Sequence, residues 1–267
     1  MTTLPLAVRP APTLDLGGAH LVMLRKLMIH KHAWTIIAFG VFEPALYLLS
    51  IGVGVGALVG PIEGIDPSIG YAQYVAPALL AMAAMNGAAN ATGQGVFFNL
   101  RYANTYQVMV GTPITARGIA IGETAWATLR GTVEAGGFLA LMAAVGLVRS
   151  PLGLLALPGA LLIGFAFAGM GLLAATYMRD FSDGQIMQLV MLPMFLFATT
   201  FYPITVYPEP IRYLVGALPL YHGIELIRQP VLGQVGWELA LSAAYLAALG
   251  GVCLWAASVR LRRRLDQ

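Results

Sequence analysis

The chain has 267 residues, of which 58% are hydrophobic and only 10% charged, with a mean hydropathy of +0.77. Soluble domains carry about 25% charged residues. This composition therefore excludes a water-soluble enzyme, a nucleic-acid binder and a disordered chain, and it points to a polytopic membrane protein. One membrane helix takes about 20 apolar residues, so the length fits roughly six spans with their connections and leaves no room for a soluble ATP-binding domain. The single cysteine, Cys253, excludes an intrachain disulfide, and the first twelve residues, interrupted by Pro5, Pro10 and Pro12, are not expected to act as a secretory leader.

In chain order, residues 14–32 place Leu14, Leu21, Leu24 and Met28 at helical spacing, with His20, Arg25, Lys26, His30 and Lys31 between them. This pattern predicts an amphipathic helix lying on the membrane surface, its basic face toward anionic headgroups. Apolar runs then predict spans at 33–58, 73–98, 119–147, 153–178, from 185 to near Pro203, and 237–259. The connection at 99–118 is polar. Residues 203–236 are semi-apolar and hold Pro203, Pro208, Pro210, Pro219 and Pro230, which predicts short amphipathic or re-entrant helices in place of a span. The chain thus divides into an N-terminal segment, 1–32, and a transmembrane domain, 33–267. The predicted class is all-α, with six transmembrane helices, an N-terminal surface helix and an external helical hairpin before the last span.

With six spans, Arg9, Arg25, Lys26, Lys31, Arg101, Arg117, Arg179 and the arginines at 260, 262, 263 and 264 share one side. Arg149, Arg212 and Arg228 share the other with Glu63, Asp66, Glu209 and Glu225. The positive-inside bias predicts that both termini are cytoplasmic.

Charges within the spans are candidate functional residues. Glu43 precedes Pro44 near the middle of the first span, and a central carboxylate must face the bundle or a wet cavity. In the third span Arg130 falls about 20° to one side of Glu123 and Glu134 about 20° to the other, so the three share a stripe. The stripe fits either a wet pathway or proton relay, or a paired charge cluster that fixes helix packing. His222, Glu225 and Arg228 recur every three residues on the outer segment; two donors do not hold a metal, so a solvated or headgroup-facing edge is expected and no metal site is predicted. The glycine runs at 52, 54 and 56 and at 164, 169 and 171 lack a following Lys-Ser/Thr and predict close helix packing. The triplet Asn90-Ala91-Thr92 lies inside a span and is discounted as a glycosylation acceptor. No catalytic constellation emerges.

Several stretches carry a family resemblance in their order and spacing. They are Thr105 to Ile114 with Thr112-Pro113, Gly122-Glu123 with Trp126, Glu43-Pro44, Leu192 to Phe197, Phe201-Tyr202-Pro203, Leu218 to Arg228, and the tail Leu261 to Leu265. On these the chain resembles an ABC-2 type permease, in particular the membrane subunit of the rhizobial lipo-oligosaccharide (nodulation-factor) exporters. It is also similar to daunorubicin-resistance and O-antigen polysaccharide permeases. It departs from the family pattern at Gln107, where an acidic residue is frequent, and at Thr199-Thr200, where Ser-Gly is frequent.

The resemblance implies a bacterial inner-membrane exporter of two permease subunits and two ABC ATP-binding subunits, with a second copy or a paralogue as the other permease and lipid around it. ATP and Mg would sit on the partner subunit, and this chain would bind no cofactor and catalyse no reaction. Segment 99–118 would hold the ATPase-coupling helix, with Arg101, Thr105, Tyr106, Gln107, Met109, Thr112 and Pro113 as its candidate residues. Tyr106, Val108, Met109 and Val110 are apolar for a cytoplasmic connection, which suits either docking to the ATPase or burial against the bundle's own end. The cargo would be a lipo-oligosaccharide, a glycolipid or a hydrophobic drug. The alternative reading is a membrane-embedded transferase using Glu123 with Glu134, or His222 with Glu225.

Overall fold

The computed structural model describes residues 16–30, 34–58 and 66–265. Among them there are helices and no strands. Helix α1 is Leu16–His30 and α2 is Trp34–Tyr47, which runs on into a π-helical segment, Leu48–Val55. Next come α3 (Tyr71–Arg101), the short α4 (Thr105–Val110) and α5 (Ala116–Ala144). A 3-10 turn, Pro151–Leu155, leads into α6 (Ala156–Tyr177), followed by α7 (Asp183–Phe197). A further 3-10 turn, Ile204–Val206, precedes α8 (Glu209–Gly216), α9 (Pro219–Leu232) and α10 (Glu238–Leu265).

Local chemistry sets these limits. Asn104 takes a left-handed conformation, φ 49°, and turns the chain from α3 into α4; asparagine is among the few non-glycine residues that tolerate it. Thr115 caps α5 by accepting from the Gly118 N–H. Pro219 opens α9 and Gly233, at φ 82°, closes it.

Helices occupy each of the six stretches expected to cross the membrane. Three of them are by themselves long and apolar enough to do so: Ala38–Val55, Pro151–Tyr177 and Glu238–Leu265. Helix α7 is apolar but only 15 residues long. The 31 residues of α3 and the 29 of α5 have the length but more polar content. Their position accounts for it. Helix α3 is wrapped by α2, α5, α6 and α9 and is buried along most of its length, so its side chains meet protein and need not match lipid. The windows at 38–55 and in α10 are only 17% and 22% buried and are apolar, while the window in Pro151–Tyr177 is the most apolar of the three although 56% buried.

The glycines of α6 allow close crossings. A Cβ at Gly171 would stand 2.8 Å from the Ala89 carbonyl oxygen on α3, and one at Gly169 would stand 2.9 Å from the Gly250 oxygen on α10. The Gly52, Gly54 and Gly56 run, in and just beyond the π-helical segment, divides: Gly52 is buried, and a Cβ there would stand 3.5 Å from the Ala72 Cβ on α3, while Gly54 faces open space.

Two expectations are corrected here. Helix α1 does not turn its basic face outward. Val22 and Lys26 are buried against α5, while Leu21, Leu24 and Met28 are exposed, because a carboxylate inside the bundle draws the lysine in. Residues 14, 15, 31 and 32 of that predicted helix, and Glu63, lie outside the described residues. Likewise the 222–228 segment is no solvated edge. Leu220, Ile224, Ile227 and Val231 insert α9 between α3, α6 and α10, and this apolar stripe carries Arg228 inside with it.

Candidate functional site

Three polar nodes lie at successive levels of the bundle. The first joins α1, α4 and α5. Glu123 is 0% exposed; its Oε1 accepts from the Tyr106 hydroxyl at 2.8 Å and its Oε2 meets Lys26 Nζ at 2.9 Å. Lys26 is 5% exposed and Tyr106 0%. An ionised carboxylate in so dry a place persists only when paired and hydrogen-bonded. Burial and the neighbouring Glu123 charge push the Tyr106 phenol well above its ordinary pKa, so it remains a donor.

Of the two alternatives for Tyr106 and Met109, docking or burial against the bundle's own end, the node favours burial. The two residues are one turn apart on α4 and both face inward. The outward side presents Gln107 and Val108, the latter 73% exposed, and beyond the helix Thr112 and Pro113. Arg101 is exposed at the end of α3. Thr105 donates to Asn99 Oδ1 at 3.1 Å, and Thr112 donates to the Met109 carbonyl at 2.6 Å, which closes the last turn of α4.

The second node is at mid-bundle. Arg130 Nε donates to Glu134 Oε1 at 2.9 Å. The Glu134 carboxylate fills space left by Gly40 on α2 and Gly87 on α3, where any Cβ would overlap it. Glu43 is exposed on α2 and its charge acts on Glu134. The stripe on α5 therefore splits. Seven residues of helix separate Glu123 from Arg130 by about 10 Å, and Glu123 takes its cation from α1.

The third node ties α9 to α3 and to the bend after α7. Arg228 is 6% exposed. Its Nη2 donates to the Thr199 carbonyl at 2.7 Å, its Nη1 to Glu225 Oε1 at 3.2 Å, and its guanidinium lies 4.0 Å from the centre of the Tyr74 ring. The Tyr74 hydroxyl donates to the same Thr199 oxygen at 3.3 Å. Thr199 has φ 60°, an uncommon conformation for a β-branched residue, and these two donors on its carbonyl help to hold it. A cavity of about 250 Å³ opens beside the node, with Asp66, Tyr221, Glu225 and Gln234 in its wall. Hydrogen bonds from Ser68 hold the Asp66 carboxyl below its usual range, which keeps the rim anionic. His222 points elsewhere, hydrogen-bonded to Ser242 Oγ at 3.1 Å and packed on Tyr245.

Residues 20–232 match the family described as ABC-2 type transporter. The chain belongs to the ABC-2 type transporter family. It is 29% identical to nodulation protein J of Rhizobium leguminosarum bv. viciae over 257 residues, covering 95% of this chain and 98% of the relative. It is 30% identical to nodulation protein J of Sinorhizobium fredii over 224 residues, 84% of each chain, and 27% identical to that of Rhizobium meliloti. ABC-2 permeases work with an ABC ATP-binding subunit and are normally the membrane subunit without catalytic activity. All three nodes lie within the matched residues; α10 and its arginines lie beyond them.

Reasoning from sequence missed Lys26 as an interior cation, Tyr74 and Thr199 as partners of Arg228, and Gly40 and Gly87 as the cradle of Glu134. Only Thr199 carried a signal, in the departure from Ser-Gly. The others are joined by contacts between helices that no spacing along one helix displays.

Proposed function

We propose that this ABC-2 permease is the membrane subunit of an ATP-driven bacterial exporter that moves an amphiphile, a lipo-oligosaccharide, glycolipid or hydrophobic drug, out of the cytoplasm. ATP and Mg act on the partner subunit, present in two copies, and a second permease copy or paralogue completes the pathway. The chain crosses the inner membrane six times with both termini cytoplasmic, and α8 and α9 form a re-entrant hairpin on the outer side.

The observation that carries this reading is the buried Tyr106–Glu123–Lys26 node. It ties α4, with Gln107 and Val108 exposed on its far side, directly to α5 and α1. A displacement imposed on the exposed side by an ATPase would reach α5 through the Tyr106–Glu123 hydrogen bond and α1 through the Glu123–Lys26 ion pair. Glu43 supports the pathway. On insertion scales a carboxylate at mid-bilayer costs about 2.5–3.5 kcal/mol, so the α2 face that bears it is covered by protein or water in the assembly. The transferase alternative gains nothing from the site, since Glu123 and Glu134 are both buried and already engaged.

The test is export by vesicles holding the permease with a candidate ABC ATP-binding subunit. ATP-dependent uptake into inverted vesicles supports the reading, and uptake unchanged without the ATPase overturns it. Orientation is read separately in a Cys253→Ser background. Asp66→Cys is expected to label from outside and Asn104→Cys only from the cytoplasm; the reverse result overturns the six-span arrangement.

A further inference from the structure

A groove between α6 and α7, separate from the three nodes, has a volume of about 350 Å³ and is lined by Ala174, Met187, Val190, Met191 and Met194, with Tyr177 at one end. Methionine is unbranched and polarizable and adapts to a flexible apolar guest. From Ile186 to Met194 the groove follows eight residues of α7, about 12 Å. That is close to half of a hydrocarbon core about 30 Å thick, the depth of a single leaflet.

The end at Tyr177 is basic. The Arg260 guanidinium stacks 3.6 Å from the centre of the Tyr177 ring, and its Nε donates to the Thr176 carbonyl at 3.4 Å. Arg264 lies within electrostatic reach of Arg260, Arg101 and Arg179, so the ends of α3 and α10 and the connection after α6 bring four like charges together. Among the described residues no carboxylate forms an ion pair with any of the four. Asp183, itself in the groove wall, accepts from the Arg179 and Asp180 N–H groups and its charge acts on Arg179, so it offsets one of the four arginines.

We infer that this groove and its arginines form a binding site for one anionic phospholipid, an acyl chain lying along α7 and the phosphate held at Arg260 and Arg264. A leaflet-deep apolar slot explains the chain, and a mouth where four arginines outnumber the neighbouring Asp180 and Asp183 explains the headgroup charge. The inference uses the orientation proposed above only to name the leaflet as cytoplasmic.

The experiment places the full-length permease in phosphatidylcholine vesicles with trace spin-labelled phosphatidylglycerol or spin-labelled phosphatidylcholine, and reads the motionally restricted fraction of each. A preference for phosphatidylglycerol is expected. It should fall roughly fivefold for each arginine removed in Arg260→Gln and Arg264→Gln, and it should weaken with added salt. Ala174→Phe fills the groove with the arginines intact and is expected to release the lipid. Salt and Ala174→Phe carry the test if the arginine variants fail to insert. Equal restriction of both lipids, or a preference indifferent to salt and to these substitutions, overturns the site. Full displacement by glycerol phosphate would assign the arginines to a soluble phosphate instead, and loss of bound lipid on dimerisation would assign the groove to a second copy; either outcome overturns the inference. Transport is not measured, so a negative result leaves the exporter reading in place.

Discussion

The node at Glu123 and the node at Arg228 both bury a charge, and they satisfy it in opposite ways. Glu123 is sealed on all sides by side chains from two other helices, one of them cationic. Arg228 is held by a backbone carbonyl and an aromatic face, with its acid, Glu225, half-exposed beside an open cavity. The inner node thus depends on a pair of full charges in a dry place. The outer one depends on dipoles and a ring, with water close by. The Glu123 node joins three helices through buried side chains, whereas the Arg228 node leaves one side open to a cavity.

That contrast fixes the rank of substitutions. Glu123→Ala leaves Lys26 buried without a partner, which is expected to destabilise the protein by about 3–5 kcal/mol. The measurement is thermal unfolding of the detergent-solubilised permease. Replacing both charges, Glu123→Leu with Lys26→Met, is expected to recover most of that loss while weakening export, because stability and coupling are then separated. A double variant no more stable than Glu123→Ala removes the ion pair as the cause.

At mid-bundle, Arg130→Ala strands Glu134 between Gly40 and Gly87, though Arg130 is itself partly exposed. The loss is therefore smaller, about 2–3 kcal/mol, and adding Glu134→Ala is expected to restore part of it. Gly87→Ala supplies a check by steric means. Its methyl group overlaps the Glu134 carboxylate and is expected to cost about 1–3 kcal/mol, but little once Glu134 is alanine. If Gly87→Ala is equally harmful in both backgrounds, the carboxylate is not what the glycine accommodates.

Arg228→Met keeps the apolar length of the side chain and removes its donors. The Thr199 carbonyl retains the Tyr74 hydroxyl, so a loss of only about 1–2 kcal/mol is expected. A loss as large as that of Glu123→Ala would erase the distinction between the two ends.

The helices were largely legible in the sequence, because apolar runs of span length and the proline-marked segment at 203–236 are local signals. Charges within the spans were legible too, since Glu43, Glu123, Arg130 and Glu134 stand out in apolar runs. Their partners were not. Lys26 belongs to a segment whose basic residues suit a headgroup face equally well, and neither its pairing with Glu123 nor the packing of Val22 and Ala19 on Gly122 can be read along that segment. For Tyr106 and Met109 the sequence leaves exposure and burial open, and the packing of α4 against α5 decides it. Arg228 looks solvated because it recurs at three-residue spacing with His222 and Glu225, whereas its neighbours in space are Tyr74 and Thr199.

The smallest effect on stability is expected on the face of α4 opposite Tyr106. Val108 is exposed and makes no polar contact, and surface substitutions of this kind stay within about 0.5 kcal/mol. Val108→Asp should therefore unfold at the wild-type temperature and insert normally. If α4 is the seat of the ATPase, a carboxylate at the centre of an apolar contact must be desolvated on docking, which weakens association. Co-purification of the ATP-binding subunit is then expected to drop about tenfold or more, and ATP hydrolysis is expected to lose its response to the permease. Tyr106→Phe acts from the other side of the same helix. It leaves the docking face unchanged and removes the bond to Glu123, so the ATPase should still bind while export falls. The two variants together separate docking from transmission. Normal association and export in Val108→Asp would place the docking surface outside α4, and normal export in Tyr106→Phe would leave the inner node a purely structural clamp.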